Sequence, residues 1–140
     1  MSQKELIAEF LSAAELGNLE NLKQCLSDGV DINATNRQGR TAITLASLHK
    51  KYDCVEYLIA AGADINQQDQ TCFNPFLLSC LNNDLTLLRL VLPANPDLNC
   101  LSRFGGVGIT PASEKGHVEI VRELVTRTEI NVNHTTFVGW

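Results

Sequence analysis

No stretch of this chain is apolar for the ~18 residues that a bilayer-spanning helix requires. The N-terminal residues, MSQKELIAEF, are amphipathic and carry acids where a secretory leader needs an apolar centre. These two features point to the cytoplasm as the expected location. An excess of positive charge is also missing. With 11 Lys and Arg against 16 Asp and Glu, the net charge is −5, which argues against a general affinity for nucleic acid or acidic membranes. Five cysteines (Cys25, Cys54, Cys72, Cys80 and Cys100) form an odd set without a CxxC pair. Zinc sites want closely spaced pairs and secreted scaffolds an even framework, so no metal or disulfide frame is expected. A phosphate-cradling loop is absent too: Gly105-Gly106-x-Gly108 has neither the following Lys-Ser/Thr nor a preceding strand. The three histidines, His49, His117 and His134, fall in different parts of the chain, and His49 has no carboxylate or cysteine partner at a motif spacing. The chain is therefore read as a non-enzyme without cofactors, with a site assembled from distant segments as a remote alternative.

What is present is a repeat. Gly29-Val30-Asp31-Ile32-Asn33 returns as Gly62-Ala63-Asp64-Ile65-Asn66 and again as Asn95-Pro96-Asp97-Leu98-Asn99, and Asp31, Asp64 and Asp97 are each 33 residues apart. A hydrophobic content of 44% with 19% charged residues describes an ordinary globular chain, and 140 residues suffice for a single domain spanning 1–140. Within it the period marks units at approximately 1–35, 36–68, 69–101 and 102–135, with 136–140 starting a further one.

Each unit reads as two short helices and a turn. Residues 2–16 carry a capping-box spacing from Ser2 to Glu5, then Leu6, Ile7, Phe10, Leu11 and Ala14 at helical intervals. Gly17-Asn18 makes a tight turn, and a second helix over 19–28 ends at Gly29. In the next unit Asn36 to Arg40 has turn chemistry, Thr41 can cap a helix running to about Leu48, and Val55, Leu58 and Ile59 stripe its partner. In the third, Asn74-Pro75 is a cap followed by proline at the first helical position. Cys72 stands there where Gly39 stood. The fourth is the least regular, with a glycine-loosened turn before a short helix opening at Thr110-Pro111. Small residues recur as Ala13-Ala14, Ala46-Ser47 and Ser79-Cys80, as a seam squeezed between neighbours requires. Cys25, Cys54 and Cys80 fall in columns held elsewhere by Leu58, Ile120 and Ser47, and are read as small buried hydrophobes.

Gly39, Thr41, Ala46, Gly62-Ala63-Asp64-Ile65-Asn66, Pro75 and Gly116-His117 with Val118-Glu119-Ile120-Val121, at a step of 33, resemble the ankyrin repeat. The resemblance covers the whole chain and implies an all-α fold: an ankyrin-repeat helical solenoid of helix–turn–helix pairs with hairpin fingers. No unit keeps the family's full Thr-Pro-Leu-His, since Thr44, Leu77 and Thr110 stand in the His column, so that buried hydrogen bond must be absent or replaced. The resemblance further implies a protein–protein interaction scaffold that binds through finger tips and a concave groove. By column the candidate contact residues are Arg37, Gln38, Arg40, Gln70, Thr71, Phe73, Arg103 and Phe104 on the fingers, and Leu48, His49, Leu81, Asn82, Glu114 and Lys115 on the first helices. Phe73 and Phe104 are expected to be interface anchors, because aromatics at tips resemble hot spots. Arg37, Arg40 and Arg103 would form a local basic patch suited to an acidic partner surface. The alternative is a regulatory segment of a longer multidomain protein. The last face, where Trp140 falls in the Arg40 column, is expected to continue in a longer chain or to be covered by self-association.

Overall fold

In the computed structural model, residues 2–94 and 96 are described. They form six α-helices, α1 (Gln3–Leu16), α2 (Leu19–Ser27), α3 (Ala42–Leu48), α4 (Tyr52–Ala60), α5 (Pro75–Leu81) and α6 (Leu85–Val91), and a 3-10 turn at Leu92–Ala94. There is no strand among the described residues. The units predicted beyond 101 lie outside them.

The caps explain where the helices start. Ser2 Oγ accepts the Glu5 amide at 3.2 Å, Asn18 caps Asn21 at 3.2 Å, Asn74 caps Leu77 at 3.0 Å and Asp84 caps Leu87 at 3.1 Å. Each satisfies one of the donors a helix start leaves unpaired. Thr41 caps α3 through the Thr44 amide at 3.4 Å, and its hydroxyl donates to the Thr44 hydroxyl at 3.2 Å. That buried Thr–Thr bond fills the place expected for the missing histidine.

Seven-residue helices such as α3 and α5 are too short to persist alone, so packing must hold them. α1 packs on α3 and α3 on α5, forming an inner row; α2, α4 and α6 form an outer row, each paired with the inner helix before it. The core repeats with the chain's period: Phe10, Ile43 and Phe76 occupy one column, Leu22, Val55 and Leu88 another, all 1% exposed or less. Truncating such a side chain costs about 2–5 kcal/mol, depending on how far the site collapses. Ala13, Ala46 and Ser79 form the small column where inner helices approach, and all are buried. Ser47 and Ser79 return their hydroxyls to the Ile43 and Phe76 carbonyls at 2.7 and 2.6 Å, which lets a polar group sit in this seam. On the outer row the Lys23 ammonium lies 5.2 Å from the centre of the Tyr57 ring, linking α2 to α4.

The turn within each pair demands a left-handed residue. Gly17, Lys50 and Asn83 hold it with φ of 77°, 60° and 52°. At Gly17 a Cβ would lie 2.8 Å from Lys51 Cδ, a flexible side chain that can move aside, so the first turn favours glycine for its conformation.

Candidate functional site

The finger before α3 is built by one side chain. Asn36 Oδ1 accepts the Gln38 amide at 2.9 Å and the Arg40 amide at 3.0 Å, while the Asn36 amide donates to the Arg40 carbonyl at 3.1 Å. Asp69 does the same in the next finger, accepting from the Thr71 and Phe73 amides at 2.8 and 3.0 Å and donating its own amide to the Phe73 carbonyl at 2.9 Å. Both fingers then reverse through a left-handed residue, Gly39 at φ 76° and Cys72 at φ 66°. The departure seen in the sequence is thus absorbed as backbone strain, with a cysteine held where glycine is easier.

Asp69 differs from Asn36 in carrying charge. The Thr71 hydroxyl donates to it at 2.6 Å, and the Arg40 guanidinium reaches it from the preceding finger at 3.1 Å. Burial alone would raise its carboxyl. The hydrogen bonds from the Thr71 hydroxyl, the Phe73 amide, Arg40 and the Thr71 amide outweigh that and hold it below the usual range. The fingers are also tied backbone to backbone. The Gln70 amide donates to the Gln38 carbonyl at 2.9 Å, and Gln70 Nε2 to the Arg37 carbonyl at 2.8 Å. Farther in, the Asn33 side chain accepts the Asp64 amide at 2.9 Å, while Asp31 and Asp64 each cap the amide two residues on. The recurring Asp-Ile-Asn is therefore a joint: the Asp shapes its own turn, and Asn33 clasps the next unit.

This framework sorts the predicted contact residues. Arg37, Gln38 and Gln70 are exposed on adjacent tips, and Thr71 is half-buried against Asp69. Arg40 is turned inward, with 23% of its side chain exposed, and serves the structure rather than an open basic patch. Phe73 is half-buried and packs against the core. At the far end of the inner helices, Leu48 and Leu81 are half-buried, whereas His49 and Asn82 are exposed. His49 Nε2 stands 3.3 Å from Glu15 Oε1 on the neighbouring helix. Arg103, Phe104, Glu114 and Lys115 lie outside the described residues.

One clamp was not read from the sequence. The Tyr52 hydroxyl contacts both carboxylate oxygens of Asp84 at 2.9 Å, bridging the second and third units. Burial first, and the Asp84 carboxylate second, push the Tyr52 hydroxyl up to about 12. Its sequence signal is faint, because the equivalent columns hold Leu19 and Leu85 in one case and Asn18 and Lys51 in the other. No metal-ligating cluster occurs among the described residues. Cys25, Cys54 and Cys80 are buried, as their columns predicted. Burial raises the thiols of Cys25 and Cys54; Glu9 and Asp28 add to this at Cys25, and Asp53, partly offset by Lys51, at Cys54. Such thiols are poor nucleophiles.

The family model for ankyrin repeats (many copies) matches residues 10–59. Over all 140 residues the chain is 66% identical to the ankyrin repeat protein YahD of Escherichia coli (strain K12), covering 70% of that protein. The chain belongs to the ankyrin repeat family. This ankyrin repeat protein is also 30% identical over 122 residues to cyclin-dependent kinase 4 inhibitor B of Rattus norvegicus, spanning 86% of the chain and 93% of the relative. It is 40% identical over 62 residues to the mitochondrial disaggregase of Homo sapiens, which is 44% of the chain and 9% of that protein. Ankyrin repeats generally mediate protein–protein interaction, and the family is generally a non-enzymatic scaffold. No helix among the described residues is long and apolar enough to cross a membrane.

Proposed function

We propose that this ankyrin repeat protein binds another protein through its finger tips and the exposed ends of its inner helices. The observation that carries the reading is the tie between fingers. Gln70 fixes the Arg37 and Gln38 carbonyls, Asp69 fixes Arg40, and every buried side-chain N or O atom among the described residues has a hydrogen-bond partner. A surface held this firmly loses little freedom on association, so its contacts appear as affinity and are not spent on ordering loops. The side chains it leaves outward, Arg37, Gln38, Gln70 and His49, are exposed and suit contact with a broad surface. Phe73 fits a supporting role beneath the tip. The test is affinity capture from source lysate with wild type and with Arg37→Ala/Gln38→Ala, two exposed positions whose carbonyl ties to Gln70 are made by backbone and are kept on truncation. Loss of a specific captured protein supports the finger face, and equal recovery by both proteins refutes it.

A further inference from the structure

We propose that the finger at 36–40 receives a tight turn of the partner protein by its main chain, as one more finger at the head of the row. The inference rests on the finger-face reading above. Its pattern is already present one unit later. The turn closed by the Cys72 amide on the Asp69 carbonyl at 2.9 Å docks onto the turn closed by the Gly39 amide on the Asn36 carbonyl at 3.0 Å. Gln70 makes that joint with two donors to two consecutive carbonyls: its amide to Gln38 at 2.9 Å and its Nε2 to Arg37 at 2.8 Å. Arg37 stands 33 residues before Gln70, at the same position of its own turn. It carries the same two kinds of donor, a backbone amide and a side-chain N–H.

The carbonyls that would serve Arg37 one period earlier belong to Lys4 and Glu5, and both residues lie inside α1. Ile7 stands in the Arg40 column and Asn36 in the Asp69 column, so the ion pair of the later joint has no counterpart here. Among the described residues no acceptor takes the Arg37 amide, and Arg37 is exposed. The turn that presents it is nevertheless fixed, because Asn36 Oδ1 holds the Gln38 and Arg40 amides. A pre-formed edge with a free backbone donor joins another chain at little ordering cost. Its acceptors must be two consecutive carbonyls on one side of the incoming chain. A tight turn offers these, as Arg37 and Gln38 themselves do toward Gln70, whereas an extended strand turns successive carbonyls to opposite sides. The partner chemistry is therefore a turn of the Asn-x-x-Gly kind, read through its main chain, with its side chains left to set specificity.

The test removes the Arg37 amide and leaves the turn. Arg37 follows Asn36 as the second residue of its turn, a position that proline suits, so Arg37→Pro deletes this one donor. The probe is a display library of cyclised peptides with a central Asn-x-x-Gly and random flanks, depleted on Arg37→Pro and then selected on wild type. Selected peptides are measured by fluorescence anisotropy on wild type, Arg37→Ala and Arg37→Pro. Both variants lack the guanidinium and only the second lacks the amide, so Arg37→Pro should bind at least about five-fold more weakly than Arg37→Ala. Opening the peptide ring should weaken binding further, since the turn must then be ordered. If Arg37→Pro fails to fold, the depletion is omitted and hydrogen exchange of the Arg37 amide in wild type decides: slowing by the peptide supports the proposal, and an unchanged rate overturns it. Equal losses in Arg37→Ala and Arg37→Pro overturn main-chain recognition and leave the finger face standing. Failure to enrich any peptide overturns the proposal as well, while the finger face is judged separately by the lysate capture.

Discussion

Replacing Asp69 tests how the fingers are held. Its carboxylate, 3% exposed, serves the Thr71 amide, the Thr71 hydroxyl, the Phe73 amide and Arg40. In Asp69→Ala the Thr71 hydroxyl and the 23%-exposed Arg40 can turn toward water, but the two backbone amides are left without their acceptor. A buried donor stripped of its partner costs about 1–3 kcal/mol, so a loss near 3 kcal/mol is expected in total. Asp69→Asn keeps an acceptor for both amides, as Asn36 does in the preceding finger, and loses only the charge facing Arg40. That should cost about 1 kcal/mol, and a double-mutant cycle with Arg40→Ala should return a coupling of about 0.5–1 kcal/mol. The pH dependence has a definite sign. The folded carboxyl lies below its ordinary value of 3.8, so its contribution is complete above that value and is lost as pH falls through the lower folded one. Urea unfolding of wild type and both variants at neutral pH, repeated in acid, measures all of this. The gap between wild type and Asp69→Asn should close only in the acid range. A loss below about 1 kcal/mol for Asp69→Ala, or equal losses for Ala and Asn, refutes the assignment of Asp69 as the finger's organiser.

Four further expectations concern the same framework. Cys72→Gly removes a left-handed cysteine and should stabilise the protein by up to about 1 kcal/mol in urea unfolding, the relief of strain exceeding the added freedom of the unfolded chain. Gly39→Ala should destabilise by about 1 kcal/mol, because a side chain there is strained at φ 76° and its Cβ would meet the Gln70 amide at 3.4 Å. In Tyr57→Phe, which leaves Tyr52 as the single tyrosine, ultraviolet titration should place the hydroxyl near 12, with the stability it contributes complete below its ordinary value of 10.0 and lost as pH rises toward 12. Adding Asp84→Asn should move that titration downward, and an unchanged midpoint would show that the clamp does not form. Asn33→Ala should speed hydrogen exchange at the Asp64 amide selectively, since it removes that amide's acceptor at 2.9 Å.

The helices were readable because their signals repeat. Phe10, Ile43 and Phe76 must be apolar for the same reason in each unit, and Ala13, Ala46 and Ser79 must be small for the same reason. A demand that recurs every 33 residues shows in one sequence without any alignment. The bonds between units were not readable, because each is made once. Tyr52 meets Asp84 in a column that otherwise holds Leu19, Leu85 and Val118, and Arg40 meets Asp69 where the preceding finger has an uncharged Asn36. Periodicity therefore placed Arg40 on a tip but could not say that it would turn toward the next finger. The same holds for Phe73, whose column is at the tip while its ring packs against the core. Position on a finger follows from the period, and the direction of a side chain follows from its neighbour's chemistry. The proposed contact face is sharpened accordingly, to Arg37, Gln38 and Gln70 outward and to Arg40 and Phe73 as their support.

The most direct measurement of the central claim is photo-cross-linking in source cells, with a benzophenone amino acid placed singly at Gln38, Gln70, Glu20 or Glu56. All four positions are exposed, the first two on the fingers and the last two on the outer helices. A finger-face binder should form a discrete protein adduct from Gln38 and Gln70 and none from Glu20 and Glu56. The same adduct from the outer-helix positions, with none from the fingers, would contradict the account.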